Sequence, residues 1–289
     1  NDGANRRPTA DLEANYYEVY DNDKIIFSGN GSSDDSAVVK YHFEFGDGRE
    51  TDWIPDSWVE YYFEEAGEYE VILNVEDDEG VRSSSGDMVT ITVNENPTAS
   101  AGAALSGICQ SGTSAKMGGS VGGGATGGTW SGGAGTWTNA TDVAGATYTA
   151  GSAESGSITL TLTTSGGSCG TTTDTKTITV NENPTASAGA ALSGICQSGT
   201  SAKMGGSVGG GATSGTWSGG AGSWANATNE STATYTAGAA ESGSVTLTLT
   251  TVGGSCSTTT DTKSITVNEN PTASAGSALS AICQSGTSA

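Results

Sequence analysis

The sequence predicts an all-β protein made of tandem β-sandwiches arranged as an elongated rod. The first reason is repetition: the stretch VNENPTASAG at residues 93–102 returns unchanged at residues 180–189 and 267–276, an interval of 87 residues each time. The second is that short runs alternate apolar with polar residues, which is the period of a strand, while helical periodicity is absent. The third is that glycine-rich turns separate these runs, and the 289 residues include 45 glycines.

The repetition divides the chain into four parts. Residues 1–94 differ from the rest, residues 95–181 and 182–268 are two copies of one unit, and residues 269–289 begin a third copy. Of the 32 acidic residues, 23 precede position 94. The net charge of −22 argues against nucleic acid as a partner, because both are negative. Membrane insertion is not expected either, because the sequence has no run of about 18 apolar residues.

Residues 8–93 predict one sandwich. Tyr41, Phe43 and Phe45 alternate with polar residues and are followed by a Gly-Asp-Gly turn. Residues 69–76 alternate in the same way, and residues 88–93 predict the closing strand. The whole first part is therefore expected to contain strands and turns only.

These residues resemble the polycystic-kidney-disease (PKD) domain family. The family pattern Tyr-x-Trp-Asp-Phe-Gly-Asp-Gly corresponds to residues 41–48, with Phe43 in place of Trp and Glu44 in place of Asp. Residues 27–34 match its serine-rich turn, and residues 66–71 match its Gly-x-Tyr-x-Val strand. The resemblance implies an immunoglobulin-like sandwich that serves as a spacer or presents a ligand, without catalysis.

Each complete repeat predicts about seven short strands separated by turns, a pattern typical of immunoglobulin-like sandwiches. The clearest strand is residues 157–163, where Ile and Leu alternate with Thr, a residue that suits a half-buried strand. Residues 128–137 give a glycine-rich hairpin signal around Trp130 and Trp137. These two tryptophans either form an exposed platform for a sugar ring or belong to the core, and the shortage of other large apolar residues favours the core, above all for Trp130.

The five cysteines predict disulfides within the repeats. Cys109 is expected to pair with Cys169, and Cys196 with Cys256, because 60 residues separate the two cysteines of each complete repeat. Such bonds imply an oxidising compartment outside the cytoplasm. A zinc site is not expected, since no CxxC motif or nearby histidine is present. Cys283 is expected to be unpaired in this chain, with its partner either beyond residue 289 or in another chain.

We do not expect an enzyme. His42 is the only histidine, it lies in a different part of the chain from the cysteines, and no nucleophile motif accompanies it. The one cofactor considered is Ca²⁺, because carboxylates are its preferred ligands and some PKD domains bind calcium near their ends. The alternative is that the acidic turns are simply solvated. The candidate ligands are Asp34, Asp35, Asp47, Asp77 and Asp78.

Residues 95–289 are similar to the repeats of the giant SprB-type gliding-motility adhesins of Bacteroidota. The motifs that carry the likeness are residues 96–102, 108–109, 128–133 and 157–162. The resemblance implies an extracellular cell-surface filament, associated with the outer membrane, exported by type IX secretion and acting as a semi-rigid stalk in adhesion and gliding. Its partners would be the substratum or a surface polysaccharide, and the outer-membrane motility or secretion machinery.

Two other functions stay open at this stage. The chain can belong to a structural filament or sheath that polymerises by strand exchange, if another chain completes the partial repeat at residues 269–289. Alternatively, its modules accompany a secreted polysaccharide-degrading enzyme, since PKD domains often stand beside catalytic domains.

The joint sequence Val-Asn-Glu-Asn-Pro-Thr connects all parts of the chain. Pro184 fixes its own φ and restrains Asn183, and the preceding strand ends within four residues of this proline. So short a joint should limit bending. Because the same joint follows the PKD-like part and both repeats, we expect one local geometry at all three places.

Overall fold

A computed structural model describes residues 5–167, 170–278 and 281 of the protein. Every regular element in this part of the chain is a β-strand, so the predicted all-β class is confirmed. No helix among these residues is long and apolar enough to cross a membrane. Contacts group the chain into two compact units. One runs to Gly107 and includes Thr113–Gly151 and Ser157–Thr179; the other contains Ile108–Gly112, Ser152–Gly156 and the chain from Val180.

Seven strands fold the first part of the chain into a two-sheet sandwich. They are β1 (Glu13–Ala14), β2 (Glu18–Tyr20), β3 (Lys24–Ser28), β4 (Val38–Glu44), β5 (Trp58–Tyr62), β6 (Gly67–Asp77) and β7 (Asp87–Asn94). One sheet has the order β1-β3-β5 and the other β2-β7-β6-β4. Neighbours are antiparallel, except that β2 runs parallel to the end of β7.

The two sheets enclose an apolar core. Along β6, Val71, Leu73 and Val75 are fully buried, while Ile72 and Asn74 between them are only partly buried. Aromatic and aliphatic side chains of β3 and β4 meet them in one cluster. Burial of each such side chain contributes about 1.5–3 kcal/mol, so the strand alternation seen in the sequence is also the main source of stability.

Residues 98–181 contain eight further strands. They are β8 (Thr98–Ser100), β9 (Ile108–Cys109), β10 (Ser120–Gly122), β11 (Gly127–Ser131), β12 (Thr136–Thr138), β13 (Thr147–Thr149), β14 (Gly156–Ser165) and β15 (Thr173–Asn181). A four-stranded sheet has the order β11-β14-β15-β9, and β8 pairs with β10 and β12 with β13. The short strand β9 runs parallel to the end of β15.

Residues 185–268 repeat this arrangement. The strands are β16 (Thr185–Ser187), β17 (Ile195–Cys196), β18 (Ser207–Gly209), β19 (Ser214–Ser218), β20 (Ser223–Ala225), β21 (Thr234–Thr236), β22 (Gly243–Val252) and β23 (Thr260–Asn268). The four-stranded sheet has the order β17-β23-β22-β19, and β16 pairs with β18 and β20 with β21. Registers also repeat, because Trp130 faces Leu162 and Trp217 faces Leu249.

The first tryptophan of each repeat belongs to the core, as expected. Trp130 and Trp217 are each 2% exposed. Trp137 is half-buried and stacks on Trp130, with ring centroids 6.0 Å apart. Its indole N–H donates to the backbone carbonyl of Gly132 at 3.1 Å. The tryptophan pair thus supplies apolar mass that the glycine-rich repeat lacks elsewhere.

A buried lysine completes the core of each repeat. The ammonium group of Lys176 donates to the carbonyl oxygens of Ala103 at 3.1 Å and Met117 at 2.5 Å. It also lies 5.3 Å from the centre of the Trp130 ring, a cation–π distance. Burial lowers the pKa of Lys176 below its ordinary value, and Asp174 acts in the opposite direction. Lys263 occupies the same position in the second repeat.

The predicted cysteine pairs are wrong. The structure joins Cys109 to Cys256, with Cα atoms 5.8 Å apart, and both lie in the second compact unit. The reason is the length of β23. Cys196 is the Cα partner of Asn268 at the end of this strand, whereas Cys256 lies in the loop before its start at Thr260. Eight steps of about 3.3 Å put the two ends of this strand about 26 Å apart, far beyond the roughly 7 Å limit for a disulfide.

Of the described cysteines, Cys196 is free and exposed. The predictions for Cys169 and Cys283 fall outside the described residues. Cys109 faces Asn181 at the end of β15 and its sulfur is bonded to Cys256, so it is not available for the predicted pairing.

The domain division made from the sequence stays a prediction, as does the elongated arrangement. Strand pairings within the described residues each join strands of one predicted part, 1–94, 95–181 or 182–268. The disulfide is the covalent bond that connects residues of two different sequence repeats.

Candidate functional site at the repeat joints

The joint that follows each sandwich starts with the same strand pairing. A strand of two or three residues runs parallel to the end of the closing strand, and its last residue faces the first asparagine of the joint. These facing pairs are Tyr20 with Asn94, Cys109 with Asn181, and Cys196 with Asn268. The closing strand is thereby fixed on one side up to the point where the joint begins.

At the first joint, Asn96 is bound through two groups. Its backbone N–H donates to Oδ1 of Asp21 at 2.7 Å, and its side-chain amide donates to the backbone carbonyl of Asp21 at 3.2 Å. The N–H of Asp21 donates in turn to the carbonyl of Asn94 at 3.0 Å. We call this set of bonds the joint clamp, since it ties the joint back to the preceding sandwich.

The joint clamp recurs after both repeats. Asn183 donates from its backbone N–H to Oε1 of Gln110 at 3.0 Å and from its side chain to the Gln110 carbonyl at 3.2 Å. Asn270 makes the same two bonds with Gln197, at 3.2 and 3.3 Å. The expected shared local geometry is therefore confirmed in the hydrogen bonds of all three joints. Each bond contributes about 0.5–1.5 kcal/mol net, so one clamp is modest and is strengthened by the proline that follows.

A glycine turn packs against each of the first two joints. Gly123 and Gly210 both have φ of +60°, a conformation that glycine adopts without strain. A Cβ at Gly123 would collide with the carbonyl oxygen of Asn96, and one at Gly210 with that of Asn183. The Gly-Gly-Gly runs are turns, as the sequence indicated, and their lack of side chains lets the backbone of the sandwich touch the joint.

The surroundings of the first joint are acidic. Asp21, Glu64, Glu65 and Glu95 line one shallow depression there. The joints after the two repeats have neutral Gln110 and Gln197 where the first has Asp21, so the first clamp alone contains a carboxylate.

The five predicted calcium ligands do not form one site. Asp34, Asp77 and Asp78 lie on neighbouring turns, where the hydroxyl of Ser36 is 2.8 Å from Oδ2 of Asp34 and 2.5 Å from Oδ1 of Asp78. Asp35 accepts a bond from the Arg6 N–H at 3.3 Å close by. In contrast, Asp47 belongs to a different turn and accepts a bond from the hydroxyl of Tyr61 at 2.6 Å.

The oxygens of Asp77 are already occupied. Oδ1 accepts bonds from the N–H groups of Glu79 and Val81 at 2.9 and 2.8 Å, and Oδ2 accepts one from the Asn5 side chain at 2.9 Å. Burial alone raises the pKa of Asp77, but these donors outweigh it and hold the pKa below its ordinary value. Asp77 is therefore a structural acceptor that organises the turn.

Asp34 is the residue that best fits a cation. Within the described residues its Oδ1 is buried and has no hydrogen-bond donor. The backbone N–H of Ser36 is the main reason that the pKa of Asp34 lies below its ordinary value, so the group is a carboxylate at neutral pH. Residues 5–167, 170–278 and 281 contain no group of three or more His, Cys, Asp or Glu side chains arranged for a metal. Calcium would need hydroxyl and backbone oxygens as further ligands, and it stays a prediction.

His42 lies in a structural environment. Its Nδ1 is 2.6 Å from the carbonyl oxygen of Thr51, and its ring stacks on Trp53 with centroids 5.2 Å apart. Glu44 and Glu50 are its acidic neighbours, each 3.7 Å from Nε2. This arrangement fixes the ring of His42 in β4 against the loop between β4 and β5.

Comparison with known proteins agrees with the first part of the prediction. Residues 5–93 match the family model of the PKD domain. The predicted PKD domain is confirmed. Collagenase ColQ1 of Bacillus cereus (strain Q1) is 36% identical over 91 residues, which cover 31% of this chain and 9% of the collagenase. The chain thus spans about 9% of the length of that relative.

Two solved structures illustrate the likeness. The PKD1 domain of Vibrio anguillarum Epp is 25% identical, with a TM-score of 0.26, over 31% of this chain and 99% of that one. The Dpr2 Ig1-Ig2 chain, solved in complex with DIP-Theta Ig1-Ig3, is 11% identical, with a TM-score of 0.39, over 92% of this chain and all of that one. The described residues thus form β-sandwiches, of which residues 5–93 match the PKD domain.

The sequence indicated the joint but missed the residues that hold it. Gln110 and Gln197 follow directly after Cys109 and Cys196, so their position next to a cysteine in each repeat was the available signal. Asp21 carried no such signal, because the PKD domain has a different sequence.

Proposed function

We propose that this chain is a stalk segment of a repetitive adhesin filament at the bacterial cell surface, acting in surface adhesion and gliding motility. Its place is outside the cell, in association with the outer membrane and after export by the type IX route. The partners are the substratum or a surface polysaccharide at one end and the outer-membrane motility or secretion machinery at the other. The role of the described modules is mechanical and not catalytic.

The observation that supports this role best is the construction of the joints. The same clamp recurs after the PKD domain and after both repeats, and the Cys109–Cys256 bond adds a covalent link between two sequence repeats. A filament that transmits tension needs connections that hold at every module. An enzyme or a ligand receptor has no such need, because its function depends on one concave, mostly apolar pocket with a few convergent polar groups.

The disulfide also limits how far the chain can be pulled out. Its cysteines are 147 residues apart, and a fully extended chain reaches about 3.3–3.6 Å per residue. The bond therefore prevents the segment between the two cysteines, about 500 Å long when fully extended, from being stretched, even when every sandwich in it has unfolded. A stalk under load gains a built-in limit to its lengthening in this way.

A test on living cells that produce the chain addresses the function directly. Fab fragments against residues 95–268 are expected to label cells without permeabilisation and to reduce attachment to glass, compared with Fab fragments from pre-immune serum. Labelling that requires cell lysis, or attachment that does not change at saturating Fab, would contradict the proposal.

A second candidate is an accessory region of a secreted polysaccharide-degrading enzyme. The 36% identity to 91 residues of a collagenase supports it, since that relative is an enzyme. Deletion of residues 182–268, which is one whole repeat, distinguishes the two functions in the same cells. It should impair attachment to the surface if the chain is a stalk, and it should impair polysaccharide degradation if the chain is an accessory region of an enzyme.

A further inference from the structure

We propose that Cys196 is a covalent docking site for the Gly-Gly-Ser-Cys loop of a further repeat, so that successive repeats are joined by a series of disulfides. This inference concerns the chemistry of one exposed thiol, and it holds or fails independently of the adhesin role.

The Cys109–Cys256 bond shows the two halves that such a link needs. The acceptor half is the end of β9, where Cys109 faces Asn181 and its carbonyl accepts a bond from the Gly112 N–H at 2.8 Å. The other half is the loop between β22 and β23, with the sequence Gly-Gly-Ser-Cys at residues 253–256. Sγ of Cys256 lies 3.7 Å from the Asn181 carbonyl oxygen, so the loop reaches the joint itself.

Two glycines allow the loop to approach this closely. Gly254 has φ of +87°, and a Cβ there would collide with the carbonyl of Gly211. Gly211 in turn would collide with the carbonyl of Glu182, in the joint, if it had a Cβ. The chain of backbone contacts from the loop to the joint therefore depends on glycine at both positions.

Cys196 repeats the strand pairing and the backbone hydrogen bond of the acceptor half. It faces Asn268 at the end of the closing strand, as Cys109 faces Asn181. Its carbonyl accepts a bond from the Gly199 N–H at 2.8 Å, and the clamp between Asn270 and Gln197 is formed beside it. The difference is that its thiol is free and exposed. The site is complete except for the loop that would occupy it.

The first joint shows that the cysteine is not needed for the clamp. Tyr20 stands in the position of Cys109 and Cys196, yet the bonds between Asp21 and Asn96 are formed. A cysteine in this position therefore has a separate purpose, and Cys109 shows which one.

Bond formation requires a two-electron oxidant, for which a small-molecule disulfide suffices. The Cys196 thiolate attacks this disulfide and releases one small thiol, and the loop thiolate then displaces the second. The two protein thiols lose two electrons and two protons, and the small disulfide is reduced to two thiols. Oxidised glutathione provides this reagent in the test.

The test lengthens the 289-residue chain in register with its own period of 87 residues. A copy of residues 203–268 is added after residue 289, because residue 289 corresponds to residue 202 one period earlier. The added copy carries Val252→Ala as a mass label, and Val252 is exposed, so the label leaves the core intact. After equilibration with reduced and oxidised glutathione, free thiols are alkylated, and the denatured protein is digested with trypsin.

Trypsin places each cysteine in a different peptide, because lysines occur at 116, 176, 203 and 263. We expect peptide 177–203 to be linked to the labelled copy of peptide 204–263, and peptide 83–116 to the unlabelled one. In the 289-residue chain Cys196 should be alkylated, and in the lengthened chain its alkylation should fall by about tenfold or more, since the loop is presented at a high effective concentration.

The matched control is the lengthened chain with Cys256→Ser in the added copy only, in which Cys196 should again be alkylated. An alkylated Cys196 in the lengthened chain, while peptide 83–116 is still linked to peptide 204–263, would overturn the proposal. Absence of that second link would also overturn it, because the pattern on which it rests would not exist.

Discussion

Replacement of Cys256 by serine should destabilise residues 182–268 by several kcal/mol. Cys109 is held beside Asn181 by parallel pairing, so the bond ties residue 256 back to the start of its own sandwich, 75 residues earlier. Closing a loop of this size removes about 15 cal/mol/K of entropy from the unfolded chain, or about 4.5 kcal/mol at 25 °C. Measured effects of native disulfides run from about 2 to 5 kcal/mol. For a sandwich of this length that corresponds to a fall in melting temperature on the order of 10–30 °C.

Scanning calorimetry of the oxidised 289-residue chain measures this effect, and hydrogen exchange in β22 and β23 assigns the transition to the second repeat. The matched control is Cys196→Ser, which removes a thiol that is free and exposed and should leave the melting temperature unchanged. The PKD domain provides an internal reference, because residues 5–93 contain no cysteine.

Three results would refute the reasoning. One is an equal loss of stability in both serine variants. Another is a melting temperature of Cys256→Ser within about 1 °C of the parent, since even 1 kcal/mol should shift it by about 4–8 °C. The third is a tryptic link between peptides 177–203 and 204–263, which would show that the bond lies within the repeat.

Three further predictions concern the first compact unit. Burial, followed by the hydrogen bond to Asp47, raises the pKa of Tyr61 to about 12. The stability that Tyr61 contributes is therefore complete below pH 10 and is lost as the pH rises towards 12. Tyr61→Phe should abolish this phase in an alkaline unfolding experiment followed by tyrosine absorbance. Gly123→Ala should destabilise the protein more than Gly118→Ala does, because both glycines have positive φ but only Gly123 lies against the joint. Equal denaturation midpoints for the two variants would contradict the close approach of Gly123 to the Asn96 carbonyl. Calcium should raise the melting temperature of the parent and of Asp47→Ala but not of Asp34→Ala, and a parent that does not respond to calcium ends that prediction.

The elements that the sequence predicted well are those set by local patterns. Alternation of Thr with Ile and Leu in residues 157–163 places a strand there, and β14 spans Gly156–Ser165. The shortage of other large apolar residues in the repeat predicts that Trp130 lies in the core, and Trp130 is buried. The joint, too, was recognisable, since an unchanged sequence in an unchanged local setting forms the same bonds each time.

The pairing of the cysteines failed because it depends on information that sequence spacing lacks. Two cysteines that lie 60 residues apart in one repeat can lie at opposite ends of its sandwich, and each can then bond to a cysteine of a neighbouring repeat instead. The register of Cys196 against Asn268 decides between them, and register is a property of two strands that are distant in sequence. The calcium candidates failed to converge for a similar reason: Asp34 and Asp47 lie on turns of similar composition, and only the topology separates them.

The distance between the bonded cysteines has a consequence for how such a chain can change over generations. It is 147 residues, one period of 87 plus the spacing of 60 within a repeat. Under the pairing proposed above, a repeat that has a repeat on each side uses one cysteine for the repeat before it and one for the repeat after it. Recombination between near-identical coding stretches adds or removes whole periods, and the same pairing rule holds at every new junction. The number of repeats can therefore vary among descendants without a new fold, a new interface or a different pairing of cysteines.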